Sequence, residues 1–173
     1  YIAFVDDPAL DVPPPWQKRP ITITARNPWV ASRYYKLLPH RLFPDHAVSI
    51  WVDANLTIRS DLVSLIAGCT PAQPLHLYAH FLRDCIYEEA AIIQLLALDP
   101  DHVPTQMAHY RAIGYPPRNG LYANGVMVRH HHHPRVRRAM EDWWIEVQAR
   151  SQRDQLSGPV VLARSRLRVS VID

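Results

Sequence analysis

Short apolar runs alternate along this chain with stretches whose apolar residues recur at helical spacing. "YIAFVDD" predicts a first strand that ends on Asp6 and Asp7, and a proline-rich loop, "DVPPPWQKRP", follows from Asp11 to Pro20. A helix is predicted next, with Asn27 as its N-cap, Pro28 at the first position and Val30, Tyr34, Leu37 and Leu38 on one face. Pro39 ends it, because the residue before a proline resists helical backbone. "AVSIWVD", Ala47 to Asp53, predicts a buried central strand, and Ser60 a cap for a short helix closing near Gly68. "PLHLYAH" predicts a further strand, and Asp84 the cap of a helix through "CIYEEAAIIQLLAL". An amphipathic helix follows from Pro104 to Ile113, closed by Gly114.

"NGVMVRH" predicts a strand from Asn124 to His130, and Pro134 opens the longest helix. Val136, Met140, Trp143, Trp144 and Val147 form its apolar stripe. Arg137 with Glu141, and Arg138 with Asp142, have the spacing of ion pairs on its wet face. "RLRVSV" alternates and predicts an edge strand. Strands alternating with helices predict one α/β domain over residues 1–173, with a mostly parallel, Rossmann-like sheet flanked by helices. No linker, repeat or low-complexity tract divides it.

With 173 residues and 48% apolar content the chain can bury a proper core. No apolar stretch approaches the roughly 20 residues of a membrane span. Cys69 and Cys85 have no metal-site spacing and read as buried thiols in a reducing compartment. The net charge is +3, and Lys18 and Lys36 are the only lysines, so the positive charge is nearly all arginine. Arginine suits bidentate contacts to phosphate or carboxylate. Acidic residues interleave with it, and no basic stripe with stacking aromatics marks a nucleic-acid surface. Only five glycines are present. There is no G-x-G-x-x-G, so a dinucleotide fold of the usual kind is not expected. Gly120 and Gly125 have P-loop spacing, but Val126 and Met127 stand where Lys and Ser or Thr are required. G-x-S-x-G is absent too.

Ligands of open parallel sheets collect beyond the carboxyl ends of the strands. Asp6, Asp7, Asp53, Asn55 and His80 fall at such ends. In extended backbone, side chains two apart point the same way, so Asp53 and Asn55 can converge on one hard cation, Mg²⁺ or Mn²⁺. The plainer alternative is an Asx-turn. Arg33 and Lys36, with Trp29 one turn earlier, could hold a diphosphate or a base, or could form a solvated helix face. Arg83 and Asp84 sit at a strand-to-helix junction, where such a pair orients sugar hydroxyls or merely caps the helix. Most of the run from His130 to His133 reads as a solvated strand-to-helix turn, because alternate histidines in extended backbone point apart and at most two could meet one metal; a single ligand among them is the alternative. Asp154 follows the long helix, where a carboxylate serves as general base, holds an acceptor or caps the next helix.

The order of these motifs is more specific than any one of them. "RNPWVASRYYKLLPHRLFP", "SIWVDANLTI", "RDCIYEEA", "NGVMVRHHHHP", "EDWWIEV" and "SQRDQLS" resemble, in this order, the glycosyltransferase-like family catalogued as domain of unknown function 616. The resemblance runs from "YIAFVDD" to about Leu162. That family includes plant Golgi proteins of wall-polysaccharide synthesis and many bacterial members, and is similar to GT-A-fold glycosyltransferases. It implies a GT-A-like fold and transfer of a sugar from a UDP- or GDP-sugar donor to a glycan or glycoconjugate acceptor. Asp53 and Asn55 match the family's metal motif and would hold Mn²⁺ or Mg²⁺. Arg33 and Lys36 fall where such enzymes contact the donor, Asn124 and Gly125 match the strand beneath the sugar, and Asp6 and Arg83 complete the expected donor side. Asp154 and Gln155 resemble the Asp-Gln near the acceptor, which makes Asp154 and Asp84 the expected catalytic carboxylates. Two departures stand out: Asn55 replaces a second Asp, which weakens the metal site, and the family's usual preceding strand is missing, so the domain is expected to lack its first strand. A metal-dependent hydrolase or a non-catalytic nucleotide- or glycan-binding module are the rival readings. Few cysteines and many arginines fit a bacterial cytoplasm, whereas a plant origin would imply the Golgi lumen.

Overall fold

The computed structural model describes residues 1–59 and 61–172. Two small sheets and seven helices appear among them, in the order β1 (Ile2–Val5), β2 (Gln17–Pro20), α1 (Pro28–Leu37), α2 (Pro39–Leu42), β3 (Val48–Val52), α3 (Val63–Gly68), β4 (Leu75–Ala79), α4 (Ile86–Leu95), α5 (Val103–Ala112), β5 (Tyr122–His130), α6 (Pro134–Ala149), α7 (Asp154–Ser165) and β6 (Ser170–Ile172). The α/β class stands, but the sheet is mixed rather than mostly parallel. Its strand order is β3-β5-β4-β6. β5 runs antiparallel to both β3 and β4, and only β4 and β6 pair in parallel. β3 is therefore an edge strand with half-buried residues, not the buried central strand its apolar run predicts. The long β5 takes the centre.

The expected first strand joins neither β3 nor β4. β1 pairs in parallel with β2, so part of the proline-rich stretch is itself a strand. This ribbon leans on α1 through Phe4, whose ring centroid is 4.3 Å from that of Tyr35. The Tyr35 hydroxyl in turn accepts a 2.7 Å hydrogen bond from the Thr22 backbone N–H.

α1 forms where local signals agree. The Asn27 side chain accepts from the Val30 N–H at 2.9 Å, satisfying one of the helix's orphan donors, and Pro28 needs no donor there. Pro39, expected to end the helix, opens the short α2 immediately afterwards. Cys85, not Asp84, holds the N-cap position of α4, and Ser60, the expected cap of α3, lies outside the described residues.

The predicted stripe of α6 is buried as a whole and joins Val30, Leu37, Leu38, Leu75, Leu77, Met127, Val161 and Leu162 in one core. This core clamps α1, α6 and α7 against β4 and β5. A second cluster links α4 and α5 to Leu156 and Val160 of α7, so α7 is wedged between the two. The wedge is tight. A Cβ on Gly158 would come within 2.3 Å of the Trp143 ring, so only glycine lets α6 and α7 approach this closely. On the wet face of α6, Glu141 does not pair with Arg137. It reaches across to Arg41 and accepts or shares a proton with His40 Nε2 at 2.7 Å.

Candidate functional site

β3 and β4 point the same way, and their carboxyl ends flank the first half of β5. There β5 is irregular. Its pairing with β4 passes from Leu77–Met127 directly to Tyr78–Ala123, so Asn124, Gly125 and Val126 bulge out of that ladder. Bulges re-aim side chains, and they are common beside active sites. β3 follows the bulge: Val52 pairs with Val126, and the Asp53 N–H donates to the Gly125 carbonyl at 2.8 Å. This fixes Asp53 at the sheet's lip. A Cβ on Gly125 would sit 3.1 Å from Leu56 Cδ1 and 3.6 Å from Asp53 Oδ2, so glycine leaves the lip open.

Four of the candidate residues meet here, from three separate elements: α1, the end of β3 and α7. Lys36 Nζ of α1 lies 3.2 Å from Asp53 Oδ1 and 2.8 Å from Asp154 Oδ2, at the first residue of α7. Arg33 Nε, one turn earlier on α1, is 3.4 Å from Asp154 Oδ1. The polar face of α1 is thus not a solvated face. Lys36 is 1% exposed, because that face is turned against α7 and the end of β3. Trp51, which the sequence offers only as a strand residue, donates from Nε1 to Asp53 Oδ1 at 2.6 Å. Its alternation within β3 was the available signal, since it places Trp51 on the same side as Asp53.

The electrostatics follow from this burial. Burial alone would raise the Asp154 pKa, but the ammonium of Lys36 and the guanidinium of Arg33 outweigh it and hold the carboxyl below its ordinary range. Beneath the pair, buried Arg129 donates from Nη2 to the Lys36 carbonyl and from Nε to Ser49 Oγ at 3.2 Å. No carboxylate offsets Arg129 among the described ion pairs, and desolvation lowers its pKa to about 9.

The loop before Asp154 is anchored separately. Asp99 accepts from Ser151 Oγ at 2.6 Å and from the Gln152 N–H at 2.9 Å, and His102 Nδ1 is 2.7 Å away. Asn27 Nδ2 donates to Gln152 Oε1 at 2.8 Å, tying this loop to the start of α1. The Trp143 indole donates to the Asp154 carbonyl at 3.1 Å. Gln155 Nε2 reaches the Tyr122 carbonyl at 3.4 Å, at the start of β5.

Polar satisfaction is incomplete at this spot. Arg33 Nε, Asp154 Oδ2 and both amide atoms of Asn124 are buried without a hydrogen-bond partner. Arg33 and Asp154 are held by ion pairs all the same, at 3.4 Å to each other and at 2.8 Å from Asp154 Oδ2 to Lys36 Nζ, so the Asn124 amide is the group there with no partner among the described residues. Buried polar atoms rarely go unpaired, so this amide marks a place where a polar ligand or water belongs.

The remaining candidates take no part in these ion pairs. Arg83 pairs with Glu89 at 2.6 Å rather than with Asp84. Asp84 is exposed, and so is Asn55. Asp6 is exposed at the end of β1, in the separate ribbon. The histidine run is not solvated throughout: His131 is fully buried, with Nε2 at 3.2 Å from the Phe43 carbonyl. His130 Nε2 is 2.9 Å from the Cys69 carbonyl. Among the described residues no group of three or more His, Cys, Asp or Glu side chains could hold a metal by itself, and no helix is long and apolar enough to cross a membrane.

Residues 22–172 match the TOD1/MUCI70 glycosyltransferase-like domain. The chain belongs to that family. No curated protein and no solved structure gives a match. The matched span takes in α1, the β3 lip, the β5 bulge and α7, so every residue of the buried charge cluster lies inside the glycosyltransferase-like domain.

Proposed function

We propose that this glycosyltransferase-like domain transfers a sugar from a UDP- or GDP-sugar to a glycan or glycoconjugate acceptor, at the lip formed by Asp53, Asn124, Asp154 and Arg33. The observation that carries this reading is the buried Asn124 amide in the β5 bulge, without a partner among the described residues, together with the partly open Arg33 guanidinium. A sugar diphosphate supplies what they lack: anionic oxygens for the guanidinium, and hydroxyls that donate and accept for the Asn124 amide.

The roles follow from exposure. Arg33 keeps 15% of its side chain open, so it is the cation that can meet a phosphate. Lys36 is sealed between Asp53 and Asp154 and acts by orienting both carboxylates. Asp154 serves as their counterion rather than as a base, since a carboxyl held below its ordinary range has little tendency to take up a proton near neutrality. Asp84, exposed beside Arg83, remains the carboxylate suited to contact the transferred sugar or the acceptor. Trp29 is 63% exposed one turn before Arg33 and offers a face for a nucleobase.

Mg²⁺ or Mn²⁺ fits this lip in one form only. Lys36 and Trp51 occupy Asp53 Oδ1, which leaves Oδ2 and the exposed Asn55 amide oxygen as protein ligands. Hard divalent ions bind such sparse sets when phosphates and water complete the shell. A bound ion would supply charge neutralisation to the departing diphosphate.

Calorimetric titration of UDP, GDP and their common sugars, with and without Mn²⁺, tests the proposal. Metal-dependent binding by the chain, weakened at least tenfold in a folded Asp53→Ala variant, is the expected result. Absence of binding, or binding indifferent to both metal and Asp53, would overturn it. Release of free sugar without an acceptor would instead indicate hydrolysis.

A further inference from the structure

The opposite end of the sheet carries a second concentration of charge that the proposed reaction does not use. A cavity of about 640 Å³ opens between the amino ends of β4 and β6 and the start of α6. Arg135, Arg166, Arg168 and His133 line it, together with Gln73, and no acidic residue does among the described residues. From Gly125 to His130, β5 runs roughly 16 Å at about 3.3 Å per residue, so this cavity is well removed from the Asp53 lip.

We infer that this cavity is a second binding site, for a multiply charged oxyanion bearing phosphate, sulfate or carboxylate groups. The three arginines come from different elements: the first turn of α6, the C-cap of α7 and the lead-in to β6. None has a carboxylate partner among the described ion pairs, whereas arginines elsewhere, such as Arg41, Arg83 and Arg150, do. Gathering unpaired cations around one concavity costs mutual repulsion that a bound anion relieves.

α6 strengthens the case. It has no acidic residue in its first turn and no side-chain cap, so its amino end keeps its orphan donors and positive dipole. A cation such as Arg135 is unfavourable at that end unless a negative group sits with it. His133 contributes a buried Nδ1 that has no hydrogen-bond partner. Arginine forks match the oxygens of phosphate, sulfate and carboxylate alike. No Phe, Tyr or Trp lines the cavity among the described residues, so it lacks the broad stacking platform that single-stranded nucleic acid uses.

Calorimetry with inorganic pyrophosphate, a disulfated disaccharide and the matching neutral disaccharide tests this. The expected result is binding of at least one charged probe but not the neutral one. The titrations are run on an Arg33→Ala background, so that a phosphate held at the Asp53 lip does not contribute, and the affinity should fall at least tenfold when Arg135→Ala/Arg168→Ala is added. Pyrophosphate binding as tightly as the sulfated sugar identifies a site for free oxyanions, and preference for the sulfated sugar identifies one for acidic glycans. No binding of either charged probe overturns the inference. So does an affinity that Arg135→Ala/Arg168→Ala leaves unchanged, or binding of the neutral sugar as tight as that of the charged one. Because nucleotide binding is read at the Asp53 lip, the two proposals fail separately.

Discussion

At the Asp53 end of the sheet two carboxylates meet two cations, and the innermost of them, Lys36 and Asp154, are almost wholly buried. At the His133 end three exposed arginines surround a cavity that no acidic residue lines among the described residues. The first arrangement is internally neutral, and each buried charge in it relies on its partner. The second is unneutralised and tolerated because water reaches it. A charge cluster can therefore be part of the core or a waiting surface, and burial decides which. The sharpest way to break this contrast is Asp154→Ala. Removing one member of a buried pair strands the other, which costs about 3–5 kcal/mol. Urea unfolding should register that loss, against a change within about 0.5 kcal/mol for Arg135→Ala/Arg168→Ala at the exposed end. Equal effects would mean that Lys36 finds another partner and that the lip is no more built in than the surface.

Acid separates the two ends a second time. Burial pushes the pKa of His131 down to about 4, and the nearby His132, Arg129 and His40 push the same way against its bond to the Phe43 carbonyl. Free imidazole titrates near 6.5. The stability gained by keeping His131 neutral is thus complete above about 6.5 and is lost as pH falls towards 4. Asp154 is also depressed, so its contribution persists lower and disappears only below the ordinary carboxylate range. Thermal midpoints measured from pH 7 to 3 should decline in two stages. His131→Gln, which keeps a donor for Phe43 but removes the titration, should shrink the first stage and leave the second unchanged. His40 and His80, also lowered by burial, add the rest of the first stage. A first stage unchanged in that variant would mean that His131 is not what the acid reaches.

Much of this was legible where the signal is local. Asn27 and Pro28 announce α1 because capping depends on neighbouring residues, and the stripe of α6 reads correctly because one helix face supplies it. Asp53 was recognisable as a carboxylate at a strand end. The pairing of strands was not legible: β5 reverses the sheet, and nothing in "NGVMVRH" states direction. The same limit hid the burial of Lys36. Its spacing puts it on the polar face of α1, and only the fold brings Asp154 against that face. Arg83 likewise chose Glu89, a turn into α4, over its neighbour Asp84. Residue 60, where a cap was expected, stands outside the described residues.

Asn55→Ala is the mildest change and the most discriminating for the lip. Asn55 is exposed, and its side chain takes no part in the ion pairs that hold Lys36, Asp53 and Asp154 together. Folding stability should therefore move by no more than about 0.5 kcal/mol. If its amide oxygen ligates the ion, nucleotide affinity measured in Mn²⁺ should weaken while any affinity measured in chelator stays as it was. A loss of a few-fold would correspond to under about 1.4 kcal/mol, which suits one neutral ligand in a shell completed mainly by phosphate and water. Equal weakening with and without metal would place Asn55 on the nucleotide itself. No change in either would reduce "DAN" to a turn, with Asp53 retained because Lys36 and Trp51 need it.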